Sequence, residues 1–135
     1  RIHNPDRLRQ FDFISRAMTA DTLKLDSLFQ SLLQAENRRI EPWAATTLSY
    51  LNHSTRKDYA VKYIRPALEE LTEVQRTGDI FFPRNWVGAL LRNHDSEAAY
   101  KAVETFLSVY PDYPVLLKNK ILQAAYPLYR ANRQK

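Results

Sequence analysis

A chain of 135 residues suffices for one domain, and 44% hydrophobic with 26% charged residues is the composition of a chain that buries a core. The absence of cysteine excludes disulfide scaffolds, thiol nucleophiles and zinc ribbons, and two glycines are too few for dinucleotide-binding and P-loop turns. The net charge of +5 invites a nucleic-acid reading, but residues 111–135 carry five Lys/Arg against one Asp/Glu, which leaves only +1 for the rest.

In chain order, residues 5–18 predict a first helix with Leu8, Phe11, Ile14 and Met18 on one side. Asp21 is placed to cap the next, whose stripe is Leu25, Leu28, Phe29, Leu32 and Leu33. Pro42 suits the first turn of a helix carrying Ala44, Thr47, Leu48 and Leu51. A longer stripe runs through Ala60, Tyr63, Ile64, Ala67, Leu68, Leu71 and Val74. It keeps phase across Pro66, predicting one kinked helix from about Thr55 to Arg76, stopped by Gly78.

Pro83 opens a short helix with Trp86, Val87, Leu90 and Leu91 on one face. Ser96 or Asp95 caps a helix with Ala99, Ala102, Val103, Phe106, Leu107 and Tyr110, which the segment Pro111-Asp112-Tyr113-Pro114 breaks. The last helix holds Leu117, Ile121, Ala124, Ala125 and Leu128, with a bend expected at Pro127. Arg130, Arg133 and Lys135 stand at its end, where cations meet the negative pole of the helix dipole. No stretch alternates as a half-buried strand would, so the fold is all-α with about seven helices.

The spacing carries more than the count. Pro42 and Pro83 lie 41 residues apart, as do Asn52-His53 and Asn93-His94. A period near 40 built of helical hairpins predicts stacked antiparallel hairpins in a right-handed HEAT- or armadillo-like array. The units are 21–53, 55–93 and 96–132 within a single domain, 1–135. Residues 5–18 then read as the second helix of a truncated hairpin. With Arg1 at the start, the chain is expected to be the C-terminal part of a larger protein.

Catalytic signals are missing. The three histidines lack H-E-x-x-H spacing, and no G-x-S-x-G elbow is present, so no catalytic and no metal-binding residue is assigned. His53 and His94 read as turn-holding residues. Glu69-Glu70 reads as a solvated face rather than an acid–base pair. Two segments are candidates for contact. Arg38, Arg39 and Trp43 put guanidinium forks and an aromatic in one turn, suited to a peptide or domain carboxylate, although an internal Arg–Glu brace is the simpler account. Ile80, Phe81 and Phe82 form an apolar connection that either plugs the gap between hairpins or docks an adjoining domain.

Four stretches resemble one family: Asn37-Arg38-Arg39-Ile40-Glu41-Pro42-Trp43, Tyr63-Ile64-Arg65-Pro66-Ala67-Leu68, Gln75-Arg76-Thr77-Gly78-Asp79-Ile80-Phe81-Phe82-Pro83, and Tyr110-Pro111-Asp112-Tyr113-Pro114 with Leu117-Lys118-Asn119-Lys120-Ile121-Leu122-Gln123-Ala124. From about residue 20 to residue 126 the chain is similar to the C-terminal helical region of bacterial zinc aminopeptidases of the aminopeptidase N family. The resemblance implies a HEAT-like bowl that closes over a separate catalytic domain, restricts access to small peptides and lines an internal chamber. In that family the catalytic domain carries H-E-x-x-H, a distant glutamate ligand and a G-x-M-E-N loop, none of which occurs here, so no zinc ligand carries over. Zinc is expected in the parent's catalytic domain and no cofactor in this piece. The implied partners are that catalytic domain and the parent's peptide substrates. No apolar run approaches the roughly 20 residues that a membrane span needs. A free-standing HEAT-like interaction scaffold fits the same residues, and a nucleic-acid-binding helical repeat fits them less well, because the charge is terminal rather than spread along a face.

Overall fold

The structure, a computed structural model, describes residues 21–133; the helix expected over 5–18 lies outside them. Every regular element among the described residues is helical. Helix α1 (Thr22–Leu32) starts where the Asp21 carboxylate accepts from the backbone N–H groups of Leu23 and Lys24, and it buries Leu25, Leu28, Phe29 and Leu32. A 3₁₀ turn over Ala35–Arg38 leads to α2 (Glu41–Leu51), which has Pro42 in its first turn and buries Ala44, Thr47, Leu48 and Leu51. Both stripes are the ones the helical period picks out.

The rod expected over 55–76 is broken in two places. It comprises a 3₁₀ turn Ser54–Arg56, α3 (Lys57–Ala60), a second 3₁₀ turn Val61–Tyr63, α4 (Ile64–Glu69) and α5 (Leu71–Thr77). Pro66 explains the first break. It has no N–H to offer the carbonyl four residues earlier, at Lys62, and its ring crowds that carbonyl. The backbone accordingly tightens to 3₁₀ at 61–63, and Pro66 falls in the first turn of a fresh helix, where it is tolerated. The kink thus lies upstream of the proline. The second break is a turn at Glu70.

Helix α6 (Phe82–Leu91) buries Phe82, Pro83, Trp86, Val87, Ala89, Leu90 and Leu91, an apolar surface spread around most of its girth. Ser96 caps α7 (Glu97–Val109) through the N–H of Ala99, and α8 (Val115–Arg133) contains Pro127. Sequential helices pair as α1 with α2, α5 with α6 and α7 with α8. Across units, α2 meets α6, α6 meets α8 and α4 meets α7. The helices therefore form two layers, α2–α6–α8 on one side and α1, α3–α5 and α7 on the other. Central position explains the wide burial of α6. Its Trp86 reaches through the layers to donate Nε1–H to the carbonyl of Ala67 at 3.0 Å, so the indole is buried with its polar edge satisfied.

Candidate functional site

The two segments singled out by sequence come together at one end of the first two hairpins. Arg38 is 3% exposed. Its guanidinium donates to the carbonyl of Leu32 at 2.8 Å, to Glu70 Oε2 at 3.0 Å and to Thr77 Oγ1 at 3.4 Å, and it lies 5.8 Å from the Trp86 ring centre. The internal Arg–Glu brace is the arrangement present, and Arg38 is not open to a peptide. Its acid is Glu70, which the helical pattern assigned to solvent and which is in fact half-buried. Glu70 stands in the turn between α4 and α5, and its carboxylate meets Arg38 at the end of the Ala35–Arg38 turn. Arg39 is exposed, and Trp43 is half-buried in the first turn of α2.

The apolar connection divides. Phe82 is buried, packing edge-on against Trp86 one turn along the same helix with ring centres 6.0 Å apart, so it is not part of an exposed patch. Ile80 and Phe81 are 80% and 67% exposed, and Ile40 beside them on the neighbouring turn is 48% exposed. The two turns are tied by the Asp79 N–H donating to Glu41 Oε2 at 2.9 Å. A cleft of about 370 Å³ opens between Arg39, Glu41, Thr77 and Phe82.

From Glu41 and Pro42 a larger groove of about 560 Å³ runs between α2 and α6 to Tyr50 and Arg92. Thr46, Ser49 and Asn85 line its sides, with Ala45 and Ala89 between them. Sequence reasoning missed it, because its polar residues are scattered over 51 positions with no motif; the equal offset of Pro42 and Pro83 was the available signal that two such helices lie side by side. A further cleft of about 430 Å³ lies between Glu69 and the Tyr110–Pro114 segment, where Tyr110 donates to Glu69 at 3.0 Å.

Two polar clusters tie neighbouring units together, one within each layer. Asp26 on α1 accepts from Tyr63 at 2.7 Å, Tyr59 at 2.8 Å and Lys62 at 3.1 Å. The Tyr63 hydroxyl, then that of Tyr59, holds the Asp26 carboxyl below its usual range, while burial pushes the Tyr63 phenol up. These contacts fasten α1 to the second unit, and the Phe29 ring stacks on Tyr63 at 4.4 Å alongside them.

At the opposite ends of α2 and α6, Asn52 donates Nδ2–H to the carbonyl of Leu48 at 2.9 Å, which leaves its Oδ1 to accept from His94 Nε2 at 2.9 Å. The first Asn-His pair thus bonds the second. His53 instead caps the Ser54–Arg56 turn, its Nδ1 accepting from the N–H of Thr55. His94 is 3% exposed and its Nδ1 has no hydrogen-bond partner. Burial holds its pKa below the usual histidine value, the Lys57 ammonium adds to that, and the Asp95 carboxylate opposes it. Above about pH 6.5 the ring is neutral folded or unfolded. Below that the unfolded chain takes a proton that the folded one refuses, so stability falls as pH falls. Thermal unfolding between pH 7.5 and 5.5 is expected to show this loss, and His94→Gln to flatten it; an equal slope in the variant assigns the loss elsewhere.

Among the described residues no three His, Cys, Asp or Glu side chains come together as a metal-ligand set, and no helix is long and apolar enough to cross a membrane. Comparison with protein-family models, curated proteins and solved structures finds no match.

Proposed function

We propose that this chain is the non-catalytic C-terminal helical domain of a zinc-dependent aminopeptidase, a HEAT-like cover that seats on the catalytic part of its own polypeptide and restricts which peptides reach the zinc. The observation that carries the docking role is the exposed pair Ile80 and Phe81 with Ile40 beside them. Large apolar side chains clustered on one edge cost roughly 1.5–3 kcal/mol each to leave in water, and a covering surface removes that cost. The family assignment is supported by the four stretches quoted above and by the two-layer stacking of hairpins.

Expression of the complete reading frame tests it. An H-E-x-x-H upstream in the same frame and zinc-dependent hydrolysis of an aminoacyl chromogenic substrate by the whole polypeptide are expected, with none from this chain plus zinc. In the whole polypeptide, Phe81→Asp should loosen the cover and raise turnover of long peptides relative to dipeptides. Turnover by the chain alone, or a frame without the zinc motif, overturns the peptidase reading. The second of these leaves a free-standing interaction scaffold, which the same exposed patch also favours.

A further inference from the structure

We propose that the groove between α2 and α6 is a binding site for a short, extended peptide whose free carboxylate is held by Arg92. Both helices start at their prolines and run the same way, so Glu41 and Asn85 stand near one end of the groove, and Tyr50 and Arg92 near the other. Arg92 forms no ion pair with any described residue, unlike Arg38, Arg65 and Arg76. A guanidinium is shaped to take a carboxylate with two parallel hydrogen bonds, and here it closes a groove of about 560 Å³.

Gly88 lies one helical turn before Arg92. It lies inside α6, where glycine costs roughly 0.5–1 kcal/mol relative to alanine. The surrounding fold does not require it: a Cβ there would meet only the Arg92 guanidinium, at 3.8 Å. The glycine leaves the helix bare one turn before Arg92, with open space around that side of the guanidinium.

The remaining lining suits a peptide main chain. The hydroxyls of Thr46, Ser49 and Tyr50 and the amide of Asn85 offer donors and acceptors along the sides. Ala45 and Ala89 supply a low apolar surface that selects little among side chains, so recognition falls on the carboxylate and the backbone. From Glu41 to Tyr50 the rise of α2 is about 13–14 Å, the length of about four extended residues. The Glu41 carboxylate stands at the far end, where a peptide ammonium would lie.

Titrating the 135-residue chain with tetra-alanine as the free acid and as its C-terminal amide, by calorimetry and by the arginine side-chain N–H signals, tests the assignment. The acid is expected to bind about tenfold more tightly than the amide. Arg92→Gln should abolish that preference with thermal unfolding unchanged, and Arg92→Lys, which keeps the charge but loses the fork, should retain part of it. Equal affinity for acid and amide, no binding of either up to about 5 mM, or a preference that survives Arg92→Gln overturns the proposal. Neither zinc nor hydrolysis enters the measurement, so its outcome is separate from that of the peptidase reading.

Discussion

Arg38→Ala is expected to destabilise the protein by about 3–5 kcal/mol in urea or thermal unfolding, whereas Arg39→Ala one residue on should change stability by less than about 0.5 kcal/mol. The difference is burial. The Arg38 guanidinium joins three elements, the C-terminal end of α1 through the Leu32 carbonyl, the α4–α5 turn through Glu70, and the end of α5 through Thr77. Truncation strands the Glu70 carboxylate, whose side chain is only 19% exposed, and leaves Trp86 facing an empty volume. Both consequences are costly, because a partly buried acid loses its counter-charge and a core cavity does not fully collapse. Arg38→Met separates them, since it restores packing against Trp86 but not the hydrogen bonds, and it should recover part of the loss. A cycle with Glu70→Gln should show coupling, as expected of groups in direct contact. Equal effects at Arg38 and Arg39 would contradict the brace.

What could be read from the sequence was whatever depends on short-range periodicity. The stripes of α1, α2 and α6 were legible because helix geometry alone puts Leu25, Leu28, Phe29 and Leu32, or Trp86, Val87, Leu90 and Leu91, on one face, and burial follows from their chemistry. The caps at Asp21 and Ser96 were legible for the same local reason. Partners brought together by stacking were not. Arg38 and Glu70 are separated by 32 residues, and no local pattern pairs them. Asn52 and His94 are 42 residues apart; the repeated Asn-His spacing was visible, but not that one pair bonds the other. The Asp26 cluster had a partial signal, since Tyr59 and Tyr63 are one helical turn apart, yet nothing local indicates which acid they meet. The apolar connection was legible as unusual, and only the start of α6 decides that Phe82 turns in while Ile80 and Phe81 stay out.

The two glycines should respond to alanine with opposite signs, Gly78→Ala destabilising by about 1–2 kcal/mol and Gly88→Ala stabilising by about 0.5–1 kcal/mol. Backbone freedom is not the reason at Gly78, whose φ of −113° and ψ of −178° suit any residue. Space is the reason. A Cβ there would fall 2.6 Å from Phe82 Cδ2, 2.8 Å from the Val74 carbonyl oxygen and 3.0 Å from Glu41 Oε2. All three neighbours are committed. The Val74 carbonyl accepts the Gly78 N–H at 3.0 Å, closing α5. Glu41 Oε2 accepts the Asp79 N–H, and the Phe82 ring is fixed against Trp86. Any relaxation therefore opens the joint between the first two hairpins, at a strain of about 1–3 kcal/mol. Alanine recovers only about 0.4–1 kcal/mol by stiffening the unfolded chain, so the net remains unfavourable. Gly88 meets no such barrier, and there the same stiffening and the better helix propensity act alone. Equilibrium unfolding of the two single variants and the double variant checks the pair. A shared sign would mean that α5 and α6 do not approach at Gly78 as closely as these distances require, and that the exposed Ile80–Phe81 turn is held by something other than this joint.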